Sequence, residues 1–406
     1  MKTYIIFTPE ITNMGGAQMY TANKVQFLKK KGWNVQVFFP KRKGDVLIPE
    51  LKEFENNLIL ELGIELRFMT RSMKKSAFQR IECFCKDSDE IVVESQIINH
   101  SFLVEEIAAY LGARHIINTL DERIPICFKK QNVFFEYKLR RWEFQNAGER
   151  RLKQVFGNDY KQEFLAFKNN MVYNCSNVVS EDSQELTFSD SDSTILSIGR
   201  LDKPYIIPMT EEIKLFATKH ADKSMNVIYV GGSFTGEEEG KIKSILESVN
   251  NVNLYMLGYT FPVPFNVISI ADVAIACANS VNVTADKDVP TIVADINDSM
   301  AIGVYGYDTE NKFARVLEPK IAISKLLEAV LIGKHYPRKG ILTDSMSDEN
   351  EAFERELAFI ERSKNNTGYY DVKSLMSLKT RIISRLVWWK YKILDPKRLD
   401  PRRQVI

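Results

Sequence analysis

The feature that most constrains the fold is a regular alternation of short apolar runs with amphipathic segments, which occurs twice along the chain. In the first half, the predicted strands are residues 4–7, 34–39, 90–94 and 115–118. The predicted helices between them are residues 17–31 and 102–111. The alternation restarts in the second half, with predicted strands at residues 194–198, 226–230, 253–257, 273–276 and 291–294. Alternating strands and helices form parallel sheets, so each half predicts a doubly wound α/β domain.

Length and polarity support two such domains. The chain has 406 residues, 45% of them hydrophobic, which is enough to bury a core in each half. The polar run from Ser180 to Ser193 has the composition of an interdomain connection. We expect an N-terminal Rossmann-like domain at 1–180, a C-terminal one at 181–365, and a helix with a basic tail at 366–406 that packs back on the N-terminal domain. Ligands bind outside the carboxyl ends of such strands, which predicts two sheets facing across a cleft.

Charge and cysteine content exclude several classes of protein. The net charge of +2 gives no global attraction to nucleic acid. The five cysteines lack zinc-ligand spacing and are odd in number, which favours a reducing, cytoplasmic compartment. The first apolar run stops at Pro9 and is typical of a buried strand, not of a signal peptide. No run of about 18 apolar residues predicts a membrane span.

A glycine pair follows the first predicted strand. Gly15 and Gly16 precede the first helix, where their amides and the helix N-terminus could bind a phosphate or sugar hydroxyls. A loop that only needs positive φ explains the same two glycines.

Several motifs occur in an order found in one enzyme family. They are Gly15-Gly16-Ala17-Gln18, Ser197-Ile198-Gly199-Arg200-Leu201, Val230-Gly231-Gly232, Leu257-Gly258-Tyr259 and Ile270-Ala271-Asp272-Val273. In this series the chain resembles the retaining nucleotide-sugar glycosyltransferases of the GT-B fold, and family 4 in particular. The resemblance covers most of the chain and implies two Rossmann-like domains with a nucleotide-sugar donor and no metal or other cofactor.

The resemblance also implies roles for particular residues. Arg200 would stabilise the charge that develops on the leaving diphosphate, since arginine binds phosphate oxygens through two donors. Gly232 would contact the same part of the donor, and so could Lys203, which lies near Arg200 but out of register with the family's second cation. The family places a second cation about five residues after the arginine, where this chain has Tyr205.

The donor segment departs further from the family pattern. A Glu-x7-Glu motif that holds the donor sugar and ribose is missing between residues 278 and 290. The segment resembles a variant of some polysaccharide-assembly transferases with a small polar loop. Ser280, Asn282 and Thr284 could contact the donor there, or they could cap the helix that follows.

Three aspartates remain as candidates beside these motifs. Asp295 and Asp298 follow a predicted strand and could position sugar hydroxyls, although turn formation explains the same residues without any ligand. Asp121 stands where many relatives have histidine. A partly desolvated carboxylate there could contact the transferred sugar or deprotonate the acceptor, but it could also cap a turn.

Two stretches combine cations with aromatic or apolar residues. Residues 123–153 mix lysines and arginines with aromatics, which suits an anionic membrane interface better than single-stranded nucleic acid in a chain of low net charge. Near the C-terminus, one apolar stripe is flanked by cations and comprises Leu375, Leu378, Ile382, Leu386, Trp389 and Ile393. This stripe could pack across the two domains or reach lipid headgroups.

The sequence therefore predicts a hexosyltransferase-like enzyme of polysaccharide or glycolipid synthesis. Its partners would be a nucleotide-sugar donor, a saccharide or lipid-linked acceptor and an anionic membrane surface, with a cytoplasmic and peripheral location. Two alternatives stay open: a non-catalytic sugar-nucleotide-binding protein that supports a partner, and a sugar-nucleotide epimerase. Donor base, sugar, acceptor and linkage are not encoded in a readable motif.

Overall fold

The chain folds into two compact units. The computed structural model describes residues 1–12, 15–42, 44–64, 66–120, 129–145, 147, 149–160, 162, 179–180, 186–233, 235–260, 263–295, 299–312, 320–338, 349–375, 382, 386 and 389. The first unit comprises Met1–Cys175 together with Asp348–Ile406, and the second unit is Ser176–Ser347. The second unit is therefore an insertion within the first along the chain.

The first unit is built on a parallel sheet. Its elements in chain order are β1 (Lys2–Phe7), α1 (Gly16–Lys30), β2 (Asn34–Phe38), α2 (Arg71–Glu82), β3 (Glu90–Ser95), α3 (Ile98–Leu111), β4 (Arg114–Asn118), α4 (Lys129–Arg140), β5 (Phe144–Gln145) and α5 (Glu149–Phe156). Short 3₁₀ turns occupy Pro49–Phe54, Leu60–Gly63, Leu66–Phe68, Gly157–Asp159 and Val372–Leu375. The strand order is β2-β1-β3-β4-β5 with every pair parallel. The order reverses between β1 and β3, which places a topological switch point there.

The second unit repeats this architecture. Its elements are β6 (Val179–Ser180), β7 (Ser193–Ile198), α6 (Ile206–Lys219), β8 (Met225–Val230), α7 (Glu237–Leu246), β9 (Val252–Met256), β10 (Val263–Pro264), α8 (Phe265–Ser269), β11 (Val273–Ala276), α9 (Asn279–Ala285), β12 (Thr291–Ala294), β13 (Ala301–Val304) and α10 (Ile323–Leu327), which continues as the π-helical turn Glu328–Ile332. The main sheet has the order β13-β12-β11-β7-β8-β9, and β6 pairs separately with β10. The β12–β13 pair is antiparallel and the other pairs are parallel.

The apolar runs form strands because both faces of each sheet are covered. On β7, Ile195 packs into the core on one face, whereas Leu196 and Ile198 pack into the core on the other. A strand buried on both faces is apolar at nearly every position, which is the pattern that the sequence shows. The two predicted parallel-sheet α/β domains are confirmed.

The chain returns to the first unit through α11 (Glu349–Arg362). Phe353 of this helix lies with its ring centroid 5.5 Å from that of Tyr20 and 5.3 Å from that of Phe27, both on α1. The returning segment thus begins at Asp348, earlier than the boundary at residue 366 that we expected from sequence. The apolar side of α11 belongs to the core of the first unit.

A buried charge network joins α11 to α1 and β3. The Lys24 ammonium on α1 forms ion pairs with Glu94 and, at 2.7 Å, with Glu356. Tyr4 donates to Glu94 at 2.6 Å, and Tyr20 donates to Glu356 at 2.5 Å. Burial would lower the pKa of Lys24, but the two carboxylates outweigh it and raise that pKa well above its ordinary value. Burial and the neighbouring Glu94 carboxylate raise the pKa of Glu356, and the Lys24 charge only partly offsets them.

A second buried polar cluster surrounds His115 on β4. Neutral His115 donates from Nδ1 to Glu105 at 2.7 Å, and its Nε2 lies 3.0 Å from the Ser95 hydroxyl. Lys138 bridges Glu105 at 2.5 Å and Glu143 at 2.9 Å. Burial would raise the pKa of Glu105, but the His115 hydrogen bond and the Lys138 charge lower it to about 2.

Stability should fall on mild acidification because of one buried histidine. Burial lowers the pKa of His100 from 6.5 to about 4, so the folded chain takes up this proton only at lower pH than the unfolded chain. The contribution is complete above pH 6.5 and is lost as pH falls towards about 4. Between about pH 7 and about pH 5 we expect a loss of about 2 kcal/mol in the free energy of unfolding. Urea unfolding at both pH values measures this loss in the free energy of unfolding.

His100→Gln should reduce this pH dependence, whereas His335→Gln, at an exposed histidine, should leave it unchanged. An equal pH dependence in the wild type and in His100→Gln would contradict the assignment. All four tryptophans, Trp33, Trp142, Trp388 and Trp389, belong to the first unit, so tryptophan fluorescence follows the unit that contains His100.

Candidate functional site

Three glycine turns meet at the carboxyl edge of the second sheet. They follow the adjacent strands β7, β8 and β9. The Gly199 amide donates to Val230 at 2.9 Å, the Gly231 amide donates to Gly258 at 2.7 Å, and the Leu201 amide donates to Gly232 at 3.1 Å. The switch point of this sheet lies beside them, between β7 and β11, which is where parallel sheets bind their ligands.

Glycine is required at these turns by close backbone approach. Gly231 has a φ of +142°, and a Cβ there would lie 1.9 Å from the Gly199 carbonyl oxygen. A Cβ on Gly232 would lie 2.6 Å from a ring carbon of Tyr259. The predicted donor-binding residue Gly232 therefore lies at the expected edge, where it also lets Tyr259 pack against the turn.

Arg200 projects from the first of these turns. Its side chain is 41% exposed, and its Nε lies 3.5 Å from the Asp202 carboxylate. Burial and Asp202 raise the pKa of Tyr259, while the Arg200 charge lowers it, so Arg200, Asp202 and Tyr259 share one electrostatic environment. Lys203 is half-buried in the turn that leads to α6, where its carbonyl accepts from the Ile206 amide at 3.1 Å. The structure thus brings Arg200 to the sheet edge with Gly232.

Two hydroxyl groups approach the same turn from other elements. A Cβ on Gly199 would lie 3.8 Å from both the Ser280 Oγ and the Tyr205 hydroxyl. Tyr205, at the position where the family has its second cation, is fully buried in the core of the second unit. A phenol therefore reaches this edge in place of an ammonium group.

The polar segment after β11 is a helix and not the loop that we predicted. Helix α9 begins at Asn279 with no side-chain cap, so the capping role expected for Ser280, Asn282 or Thr284 is wrong. Its N-cap, Ala278, has φ +61° and ψ −135°, a strained conformation for a residue with a Cβ. The Ala278 amide donates to the Lys312 carbonyl at 2.8 Å, which holds this turn in place.

The three residues of α9 that we predicted to contact the donor differ in burial and in their neighbours. Thr284 lies one helical turn beyond Ser280 and is fully buried, with its hydroxyl 2.8 Å from that of Thr291 on β12. The prediction that Thr284 contacts the donor is corrected, because its hydroxyl is buried against Thr291 and is not accessible from the sheet edge. Asn282 is half-buried, and its backbone carbonyl accepts from the Asp286 amide at 2.9 Å. Ser280 is the member of this set that the structure brings to Arg200's turn.

Asp295 directly follows β12 and is enclosed by protein. Its side chain is buried and forms an ion pair with Lys320. The Asp295 amide donates to Met300 at 2.6 Å, and the Asp295 carbonyl accepts from Ser299 at 3.0 Å. These contacts fit the turn-forming explanation. Asp298 and Asp121 lie outside the described residues, so their roles stay predictions.

In the first unit, the glycine pair begins helix α1 beside the switch point between β1 and β3. Gly15 is the N-cap and has an extended φ of −155°. Neither Gly15 nor Gly16 has a positive φ, so the explanation that the loop needs positive φ is wrong. A Cβ on Gly16 would meet nothing within 4 Å. The fold alone therefore does not require glycine at position 16.

Sequence reasoning missed two polar groups near this edge. Thr8 directly follows β1 and is buried, and His100 lies in the first turn of α3. Within the described part of the chain, the Thr8 hydroxyl and the His100 Nδ1 have no hydrogen-bond partner. A threonine after a strand and a histidine in an apolar helix are common in cores, so neither carries a readable signal.

Two other kinds of feature are absent from the described ranges. There, no group of three or more His, Cys, Asp or Glu side chains is arranged to hold a metal ion. No helix within the same ranges is long and apolar enough to cross a membrane.

The chain has two α/β units, each built on a largely parallel sheet, and comparison with solved structures assigns this architecture to the GT-B class of fold. The HepE protein of Anabaena, in complex with UDP and glucose, is 11% identical with a TM-score of 0.50, over 95% of this chain and 99% of that chain. A glycosyltransferase from Rickettsia africae is 14% identical with a TM-score of 0.47, over 97% and 99%. The UDP-GlcNAc 2-epimerase of Neisseria meningitidis, bound to UDP-GlcNAc, is 12% identical with a TM-score of 0.45, over 89% and 100%. No protein-family model and no curated protein sequence matches the chain.

Proposed function

We propose that the chain is a glycosyltransferase that moves a sugar from a nucleoside-diphosphate sugar to a saccharide or lipid-linked acceptor. The observation that carries this proposal is the convergence of the Gly199 and Gly231 turns with Arg200 and Ser280 at the switch point of the second sheet. Close backbone turns, a partly exposed guanidinium and a hydroxyl group suit a diphosphate in composition and placement. The strained Ala278 supports a ligand site here, because such strain clusters at functional sites.

The proposed chemistry places charge on the leaving group. The bond between the anomeric carbon and the diphosphate oxygen breaks, and its electron pair stays on the diphosphate. Arg200 stabilises that charge as it develops. The acceptor hydroxyl oxygen bonds to the anomeric carbon, and its proton passes to the leaving diphosphate or to Asp121. The likeness to the retaining family favours transfer on the same face without a metal, in polysaccharide or glycolipid synthesis.

Two alternatives give the donor a different fate. The absent glutamate pair and Tyr205 in place of a cation favour a protein that binds a sugar nucleotide without turning it over. An epimerase of the same fold would instead convert the donor with no acceptor present. All three functions need a sugar nucleotide at the Arg200 edge, and they differ in what happens to it.

Calorimetric titration with UDP and with UDP-sugars tests the shared requirement, because HepE was solved with UDP and a UDP-like donor is the first to try. We expect binding of UDP that raises the melting temperature. A donor-turnover assay with and without saccharide acceptors then separates the functions. Acceptor-dependent release of UDP supports the transferase, an isomerised donor without acceptor supports the epimerase, and binding without turnover supports the non-catalytic protein. Failure of every nucleotide to bind would overturn all three.

A further inference from the structure

A polar cavity of about 510 Å³ opens at the amino edge of the first sheet. Its wall includes the first residues of three strands, which are Lys2 of β1, Glu90 of β3 and Arg114 of β4. The end of α4 and the returning segment between residues 364 and 369 complete the wall. All of these residues belong to the first unit, and a cavity of this volume can hold a small molecule.

The cavity lies at the opposite edge of the sheet from the glycine pair. Strand β1 runs over six residues from Lys2 to Phe7, and Gly15 and Gly16 follow its carboxyl end. At about 3.3 Å per residue, the two edges are separated by about 20 Å. A small molecule in the cavity therefore does not reach the carboxyl edge, where parallel sheets bind their substrates.

The first residues of the three strands form one charged group of the wall. The Glu90 carboxylate pairs with Lys2 at 2.9 Å and also with Arg114. The Arg114 side chain is only 13% exposed, whereas that of Lys2 is 52% exposed. Because two cations share one carboxylate, this group has an excess of positive charge.

The end of α4 supplies the second charged group. The Glu143 carboxylate pairs with Lys138 at 2.9 Å and with Arg141 at 3.1 Å. The Arg141 side chain is 21% exposed, and its terminal nitrogens donate to the Thr367 and Gly368 carbonyls, each at 3.3 Å. Hydrogen bonds of this length are weak, and an anionic oxygen is a stronger acceptor for a guanidinium than a carbonyl oxygen is.

The wall contains many donors, while its acidic groups are already paired. A guanidinium carries five N–H donors and an ammonium three. Glu90 and Glu143 each bond two cations, and Asp89, which is 89% exposed, pairs with the terminal ammonium at 2.5 Å. Lys364 adds an ammonium that is 59% exposed and pairs with Glu361 at 3.3 Å. A ligand suited to this wall accepts hydrogen bonds from cations, as a phosphate or carboxylate group does.

We propose that this cavity binds a small molecule through its phosphate or carboxylate group, at a site separate from the sugar-nucleotide site. Guanidinium groups bind these oxyanions through two parallel hydrogen bonds. Such a ligand would contact the strand ends and the returning segment together, so its binding should stabilise the first unit. The inference holds whichever chemistry the second unit performs, since every residue of the wall belongs to the first unit.

Tryptophan fluorescence of the full chain tests the proposal. The Lys2 ammonium lies 5.3 Å from the centre of the Trp33 ring, and Trp142 directly follows Arg141. All four tryptophans belong to the first unit, so the signal reports the unit that contains the cavity. We expect inorganic phosphate or citrate, titrated separately, to change the fluorescence saturably and to raise the melting temperature, with weaker binding at high salt. Saturation by one probe alone would identify the group that the site recognises.

Variants of the wall locate the bound anion. Arg141→Gln should raise the half-saturation concentration about tenfold or more, because it removes charge-assisted hydrogen bonds. Lys2→Gln with Lys364→Gln changes two exposed positions at little risk to the fold and should raise that concentration about threefold or more. A matched control is Lys29→Gln with Lys31→Gln, which removes ammonium groups of 39% and 46% exposure elsewhere in the unit and should bind as the wild type does.

Three results would overturn the proposal. The first is that neither probe changes the fluorescence or the melting temperature of the wild type. The second is an equal half-saturation concentration in the wild type, in Arg141→Gln and in the Lys2→Gln, Lys364→Gln variant, which would place the anion elsewhere. The third is an equal weakening in the Lys29→Gln, Lys31→Gln control, which would assign the attraction to net charge. Circular dichroism of each variant shows whether the fold is retained.

Discussion

Replacing Arg200 with alanine is expected to reduce donor turnover about 100- to 1,000-fold, the usual cost of removing one donor that stabilises transition-state charge. The Arg200 side chain is 41% exposed, and its Nε lies 3.5 Å from the Asp202 carboxylate, so it contributes little to the core. The variant should therefore keep the wild-type melting temperature. Steady-state kinetics with a turned-over donor measure the loss, and UDP titration shows how much of it is ground-state binding.

Two further variants make the Arg200 experiment specific. Arg200→Lys keeps the positive charge but loses bidentate binding, so we expect an intermediate rate. Lys241→Ala removes an exposed cation on α7 and should leave the rate unchanged. If Arg200→Ala retains full turnover while UDP still binds, the assigned role of Arg200 is wrong, although a nucleotide site remains.

The second large effect is expected on stability, from Lys24→Met. Removal of the ammonium leaves the Glu94 and Glu356 carboxylates buried near each other without a countercharge. Breaking a buried ion pair on one side costs about 3–5 kcal/mol. Urea unfolding followed by tryptophan fluorescence measures the change in the first unit, where all four tryptophans lie.

An exposed ion pair between the same two helices provides a matched control. Lys31, the C-cap residue of α1, pairs with Glu354 of α11, but the two side chains are 46% and 50% exposed. Lys31→Met should cost no more than about 1 kcal/mol, because water screens an exposed pair. Glu356→Gln should cost less than Lys24→Met, since the raised pKa of Glu356 makes its neutral form the easier one to bury. Equal losses in Lys24→Met and Lys31→Met would show that burial does not govern this network.

Most of the strands were predictable, because buried parallel strands need uninterrupted apolar residues. The predicted strand at residues 226–230, for example, is observed as Met225–Val230. The antiparallel strand β13 was missed because Gly303 and the following turn resemble a loop, yet the glycine makes room for Asp308, whose carboxylate accepts from the Val304 amide at 2.8 Å. Helix α9 was missed because its Ser, Asn and Thr residues favour caps and turns over helix interiors.

The site was predictable only in part. Arg200 and Gly232 could be placed, since each directly follows an apolar run that ends in glycine. Thr284 could not, because a hydroxyl group forms the same hydrogen bonds with a buried neighbour as with a ligand. The Lys24 network could not be predicted from the sequence. A single lysine in an amphipathic helix is normally solvated, and its partner Glu356 lies more than 300 positions away.

The insertion of the second unit has a consequence for biosynthesis. Ser176–Ser347 is continuous, so this unit can fold as soon as the ribosome has released it. The first unit cannot be completed at that stage, because α11 supplies Phe353 and Glu356 only after the whole of the second unit has been translated. A nascent chain halted before codon 349 would hold Lys24 and Glu94 without their third partner Glu356, so we expect the first unit to stay incompletely folded until α11 emerges.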